Sequence, residues 1–315
     1  MTAPQFDCVG IRLVGKAVSL AGQARAADRP LFRNCAGTPL GLDDIAARLR
    51  GLPLEKCDAH AIRRIWRKSL RARGRETLRR KLSLYVHIPF CRQLCAYCEI
   101  ERAPFVGEAQ IDSYLRRIDR QLKFYQSAFS GARVDTISIG GGMPSLLCER
   151  QMERLVSAVR RSFKIKKGAI ISFEFSPDTV TPGKVACLKR LGVTRVSMGF
   201  QTRSPKLLRK FGRVLQNRAM VARAVEVIRQ AAFRDGFNLD LLAGLQGQGV
   251  REVLRSFEEV VRLGADQVSV NLLHGTDQYV RRFYGGERER FHAATLRFFH
   301  RLAQRLPDLA RRMGY

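Results

Sequence analysis

The sequence predicts an α/β fold built on parallel strands. From Ser83 onward, short β-rich runs alternate with amphipathic helical segments. The alternation repeats six times. The residues with unusual chemistry fall where the strand runs end, which is where α/β folds place their sites. A doubly wound sheet and an open or closed βα barrel both satisfy this pattern.

The strand runs are SLYVHI (Ser83 to Ile88), DTISIG, AIISFEF, RVSMGF, GFNLDLLAG and DQVSVNLL, all short and rich in Val, Ile and Phe. Helical periodicity lies between them at Gln110 to Phe129, Arg150 to Phe163, Pro182 to Leu191, Ala219 to Ala232 and Val250 to Leu263. At or beyond the strand ends stand a cysteine loop, Gly140-Gly141-Gly142, Glu174, Gln201, Asp240 and His274. Before Ser83 the pattern is irregular and punctuated by Pro and Gly, so residues 1–82 form a separate N-terminal extension and 83–315 the core domain. Within the extension, residues 63–81 (RRIWRKSLRARGRETLRRK) contain Glu76 as their one acid and predict a basic helix.

The 315 residues, 45% of them hydrophobic, are enough for a sizeable core. No apolar run is long enough to span a bilayer. The first 41 residues hold Asp7 and Asp28 against Arg12, Lys16, Arg25, Arg29 and Arg33, but their apolar stretches are short and no cleaved leader is expected. The formal charge of +29 leaves two readings open: attraction to a polyanion such as nucleic acid, a membrane surface or a polycarboxylate substrate, and a solvated basic surface. Eight cysteines, five of them scattered, point to a reducing cytoplasm rather than a disulfide scaffold.

The other three, Cys91, Cys95 and Cys98, form C-x3-C-x2-C directly after the first strand. A structural zinc site wants four ligands and finds only His87 nearby. A redox pair at Cys95 and Cys98 leaves Cys91 unexplained. A 4Fe-4S cluster on three thiolates leaves one iron open for something other than a side chain. Packing as small hydrophobes is the remaining reading.

The motif on its strand-end loop resembles the radical S-adenosylmethionine (SAM) superfamily, and LYVHIPFCRQLCAYC resembles its oxygen-independent coproporphyrinogen III oxidase family. GGGMPSLL, FEFSPDTVTPGKVACLKRLGVTRVSMGFQT, the FGR at Phe211 to Arg213 and LDLLAGLQGQ carry the same resemblance in the same order. It implies a partial (β/α)6 barrel, a 4Fe-4S cluster on Cys91, Cys95 and Cys98, and SAM bound to the open iron. Reductive cleavage of that SAM would give a 5'-deoxyadenosyl radical. By the same resemblance Tyr85, Gly141 and Glu174 would face the cluster-bound SAM. A second SAM subsite would map to Tyr97, Gly142, Met143, Gln201, Arg213, Asp240 and His274. No catalytic residue is assigned. The implied partners are an anionic substrate such as a tetrapyrrole and a one-electron donor such as flavodoxin or ferredoxin.

The chain departs from the family pattern at several places. Glu99-Ile100 follows Cys98 where the oxidase branch has a further cysteine, Met143 replaces a usual threonine, and Gln246 replaces a usual proline. The family's C-terminal domain is expected to be missing beyond Tyr315. Four functions are therefore expected to compete: a coproporphyrinogen oxidase-like enzyme, a radical SAM methyltransferase using two SAM molecules, a heme-binding carrier, and RNA binding through residues 63–81.

Overall fold

The computed structural model describes residues 81–129 and 132–315, with the backbone of three short strands, Val9–Val14, Phe32–Arg33 and Pro39–Leu40. Two compact units divide the chain: Met1–Leu13 with Lys81–Tyr315, and Val14–Arg80. In the second unit the described backbone is one antiparallel pair, Phe32–Arg33 on Pro39–Leu40. Apart from Lys81, the expected basic helix at 63–81 lies outside the described residues, as do Cys8, Cys35 and Cys57.

In the first unit, six parallel strands form one sheet: β1 (Lys81–Ile88), β2 (Arg133–Gly141), β3 (Lys164–Phe175), β4 (Arg195–Gln201), β5 (Phe237–Ala243) and β6 (Gln267–Leu272). Each pairs with its sequence neighbour, and Val9–Val14 lies at the edge beside β1. A doubly wound sheet would reverse its strand order at a switch point. This order never reverses, and β6 does not close onto β1, so the sheet is the partial barrel.

β1 starts two residues before the expected Ser83, because Leu82 continues the buried alternation of Leu84, Val86 and Ile88. That alternation leaves Ser83, Tyr85 and His87 on the opposite face. The same rule buries Phe173 and Phe175 and frees Ser172 and Glu174 in β3; in β4 it buries Val196, Met198 and Phe200 and frees Ser197 and Gln201. The inner face is consequently a polar lining cross-linked between strands. Ser172 Oγ donates to Ser138 Oγ at 3.1 Å, Ser197 Oγ to Asp240 Oδ2 at 2.8 Å, and Ser269 Oγ to Asn238 Oδ1 at 2.9 Å.

The outer face is covered by helices whose apolar stripes recur at helical spacing. α1 (Glu108–Ala128), α2 (Glu149–Ser162), α3 (Pro182–Arg190), α5 (Arg218–Gln230) and α6 (Val250–Arg262) match the periodic segments within two residues at each end. α6 buries Val253, Ser256, Phe257 and Val260, the i, i+3, i+4, i+7 stripe. The cap residues explain several starts: Thr181 accepts from the Lys184 N–H and Asn217 from the Met220 N–H. The sequence reading did not include α4 (Pro205–Lys210), whose six residues are too few to show a period. Three further helices, α7 (Asp277–Tyr284), α8 (Arg288–Ala303) and α9 (Leu306–Arg312), follow the last strand, beyond the repeating βα pattern. Among the described residues no helix is long and apolar enough to cross a membrane.

α7 and α8 supply Tyr279, Val280 and Phe291 to a core that also holds Leu207, Phe211, Leu242, Leu245 and Leu273, with Ala96 and Tyr97 packed against it. Phe211 is fully buried and stacks on Tyr279 with ring centroids 5.9 Å apart. Phe211→Ala is expected to destabilise the domain by about 3–5 kcal/mol through lost burial and an unfilled cavity, read as a lowered urea midpoint with an unchanged slope.

Candidate functional site

The strand ends enclose a cavity of about 480 Å³. The cysteine loop forms one wall, and its backbone is fixed on every side. Gly142 N–H donates to the Ile88 carbonyl and Met143 N–H to the Phe90 carbonyl, both at 2.8 Å, so the end of β2 grips the entry to the loop. Ala96 N–H donates to the Phe211 carbonyl at 2.9 Å, tying the middle of the loop to the aromatic core. The Arg92 N–H donates to Met143 Sδ at 3.4 Å, a bond the thioether makes as an acceptor. Leu215 N–H donates to Gln93 Oε1 at 3.2 Å.

Two glycines are required by these contacts. Gly141 has φ +118°, a left-handed region costly for a side chain, and a Cβ there would lie 2.7 Å from His87 Nδ1. A Cβ on Gly142 would lie 2.8 Å from Cys91 Sγ and equally close to the Phe90 and Pro89 carbonyls. The backbone therefore approaches the cysteine loop more closely than any side chain would permit.

Cys91 and Cys95 are buried and Cys98 is half-buried, all three free of disulfides. Burial pushes the Cys91 thiol up to about 12, the neighbouring Cys98 and Cys95 add to this, and Arg102 and Arg213 oppose it. Ligation exchanges such protons for metal. Among the described residues no three His, Cys, Asp or Glu side chains converge on one metal ion. A 4Fe-4S cluster asks instead for thiolates on separate irons.

All the other sequence-derived candidates except Tyr85 line this cavity: Tyr97, Gly141, Gly142, Met143, Glu174, Gln201, Arg213, Asp240 and His274. Tyr85 lies on the inner face without lining it; its hydroxyl is 3.2 Å from His87 Nδ1. Burial pushes that phenol up to about 12, and the Glu174 carboxylate adds to the effect. Glu174 accepts from the Gly141 N–H at 3.2 Å and is open to cavity water. The surrounding barrel wall pushes its carboxyl up to about 7, with Asp240 adding and the Gly141 N–H opposing. Because water reaches the side chain, the effect is smaller than for a carboxyl sealed in the core.

Gln201 has φ 68°, a conformation a non-glycine residue adopts at a cost. It sits at a bulge, where the pairing steps from Asp240 with Gly199 to Leu241 with Gln201. Such bulges re-aim a side chain, here into the cavity. Arg213 Nη2 donates to the Gly199 carbonyl at 2.7 Å and its Nε to Gln216 Oε1 at 2.8 Å. The hydroxyl of Tyr97 is buried beside Cys95 and Arg213. Asp240 accepts from Ser197 at 2.8 Å, Asn238 at 3.0 Å and Asn271 at 3.4 Å. His274 is exposed at the rim.

Sequence reasoning missed Ser197, Asn238, Asn271 and Arg102. Asn238 and Asp240 are separated by one position in an otherwise apolar run, a period-two signal that both face the lumen. Arg102 carried no signal, since one arginine among many does not announce a partner.

A sequence model of the radical SAM superfamily matches residues 85–260. The chain belongs to the radical SAM superfamily. Members of this superfamily bind a 4Fe-4S cluster and SAM. Their chemistry suits the three free thiols and the glycine cradle. Over 188 residues the chain is 35% identical to the heme chaperone HemW of Escherichia coli, covering 60% of this chain and 49% of that one. It is also 30% identical over 190 residues to the oxygen-independent coproporphyrinogen III oxidase of Paracoccus denitrificans, covering 60% and 42%. The solved coproporphyrinogen III oxidase HemN of Escherichia coli shares the radical SAM fold with a TM-score of 0.62 at 24% identity, covering 73% of this chain and 52% of that one. The chain thus spans about half the length of the curated relatives it matches.

Two outcomes follow from the site geometry. Gly142→Ala should abolish stable cluster loading, read from bound iron and sulfide, because its Cβ would occupy the space of Cys91 Sγ. Glu174 has a folded pKa above its ordinary 4.5, so its contribution to stability is present below that value and lost as pH rises toward about 7. Glu174→Gln should therefore raise the melting temperature of the cofactor-free protein near pH 8 and leave it unchanged near pH 4.5, by paired thermal melts.

Proposed function

We propose that the chain is a radical SAM oxidoreductase resembling the coproporphyrinogen oxidases, which cleaves SAM reductively and acts on a tetrapyrrole or a similar anionic ring substrate. The observation that carries this reading is the juxtaposition of the three thiols with the Gly141-Gly142 cradle and the polar strand-end residues around one cavity. Cys91, Cys95 and Cys98 hold the cluster. Gly141 gives the backbone close approach at the methionine end of SAM, and Glu174 faces the same molecule as an acceptor, with Tyr85 behind it. Tyr97, Gly142, Met143, Gln201, Arg213, Asp240 and His274 form the second SAM subsite. Asp240 retains acceptor capacity for ribose hydroxyls beyond its three donors, and Arg213 offers guanidinium N–H groups to a carboxylate. When bound, the cluster supplies the electron that breaks the sulfonium bond of SAM; the protein positions that bond and excludes water.

The substrate class is supported by the names of the relatives, one a heme chaperone and one a coproporphyrinogen oxidase. An excess of basic residues suits propionate groups. A reducing cytoplasm suits the free thiols, and a flavodoxin or ferredoxin suits the single-electron requirement. A second reading, heme carriage without turnover, is favoured by the 35% identity to a heme chaperone and by Ile100 standing in place of the oxidase branch's further cysteine.

Anaerobically reconstituted protein should convert SAM to 5'-deoxyadenosine with dithionite, and Cys91→Ala should not. Intact SAM after verified cluster loading, together with stoichiometric heme binding that survives Cys91→Ala, would replace the enzyme with the carrier. S-adenosylhomocysteine formed with deoxyadenosine would mark methyl transfer instead.

A further inference from the structure

Arg102 lines the cavity just beyond the cysteine loop, and its guanidinium gathers the loop's carbonyls. Nη1 donates to the Cys98 carbonyl at 2.7 Å and the Ile100 carbonyl at 3.2 Å; Nη2 donates to the Cys95 carbonyl at 3.0 Å. Its Nε is buried and has no partner. Arg150, Arg154 and Arg218 on the outer helices each pair with a carboxylate. Among the described residues Arg102 pairs with none, although Glu99 and Glu101 are close in sequence. A guanidinium always carries its charge. Half-buried, with its Nε enclosed and that donor unspent, it calls for an anion in the same place.

Among the described residues, the groups gathered beside it that become anionic on ligation are the cysteines. Thiolates bound to a 4Fe-4S core form an assembly of net negative charge that gains one more on reduction, and that charge and its surroundings set the potential. We propose that Arg102 is a positioning residue for the cluster: its fork fixes three carbonyls of the cysteine loop, and its charge compensates the anionic cluster. The inference rests on the reading that Cys91, Cys95 and Cys98 hold the cluster. Arg213, the other guanidinium in the cavity, also lies beside the Cys95 and Tyr97 side chains, but its hydrogen bonds to carbonyl groups go to Gly199 and Gln216 rather than to the loop backbone.

The test compares reconstituted wild type, Arg102→Gln and Arg102→Lys in the full chain, with circular dichroism of each cofactor-free protein to establish folding. Iron and sulfide content and the cluster spectrum of the wild type come first; a wild type that binds no cluster overturns the cluster reading itself, and this inference with it. Given a loaded wild type, Arg102→Gln should have a more negative midpoint potential, because the reduced, more anionic form loses its compensating cation. It should also lose iron to a chelator about tenfold faster or more, the usual range for residues that support metal ligands. Arg102→Lys, which keeps the charge and loses the fork, should restore the potential while still losing iron faster than wild type. If Arg102→Gln does not retain a cluster, Arg102→Lys decides: a cluster retained by Arg102→Lys supports the charge role, and its failure to load as well overturns it. Equal potentials in all three proteins overturn it, including where SAM affinity alone falls, which would assign Arg102 to a carboxylate of the bound ligand.

Discussion

The cavity depends on the end of β2 lying directly against the entry to the cysteine loop. Two backbone hydrogen bonds, from Gly142 to the Ile88 carbonyl and from Met143 to the Phe90 carbonyl, continue the β1–β2 pairing past the last strand residues. They form because Gly141 adopts a positive φ and Gly142 has no Cβ, so that the chain passes within contact of Cys91 Sγ. Once the entry is fixed, the Ala96 bond to the Phe211 carbonyl and the packing of Tyr97 on the aromatic core fix the rest of the loop. The thiols are thus oriented by backbone and core, independently of any bond between them.

Charge inside the barrel follows from the same architecture. Strand alternation sends the apolar residues to the helices and leaves small polar side chains to line the lumen, where they satisfy one another across strands. Two carboxylates, Glu174 and Asp240, face each other in that lining, and their mutual repulsion adds to the effect of the surrounding barrel wall on Glu174. Two guanidinium groups, Arg102 and Arg213, sit toward the cysteine wall and have backbone carbonyls or an amide as partners. The cavity is therefore acidic on its strand side and cationic beside the thiols, a polarity suited to a cationic sulfonium ligand on one side and an anionic cluster on the other.

Much of this was legible in the sequence because the signals were local. Period-two runs announced the strands, helical stripes announced the crossovers, and C-x3-C-x2-C with the glycine triplet announced the loop and its neighbour. What was not legible depended on contacts distant in sequence. The strand start at Lys81 turned on the burial of Leu82. The left-handed Gln201 turned on a register shift against β5. Met143 stands where the family usually has threonine, and its role depends on its sulfur accepting from the Arg92 N–H, 51 positions away in sequence. The helices after β6 lie beyond the repeating βα pattern, yet Tyr279 and Phe291 from them complete the core against which Ala96 and Tyr97 of the cysteine loop pack.

The division of labour within this fold explains why family and substrate are read from different evidence. A relative named as a heme chaperone and one named as an oxidase match this chain at similar identity, each over 60% of its length. A segment common to both names cannot be what separates them, so it carries the shared platform and its cofactors. Differences must then reside in residues that touch the cavity without building it. Ile100 is such a residue: it is 42% exposed and lines the cavity, and its carbonyl rather than its side chain is engaged by Arg102. A side chain so placed can change without disturbing the loop. The position where the oxidase branch carries its further cysteine is therefore one where function can diverge while the cluster platform stays intact.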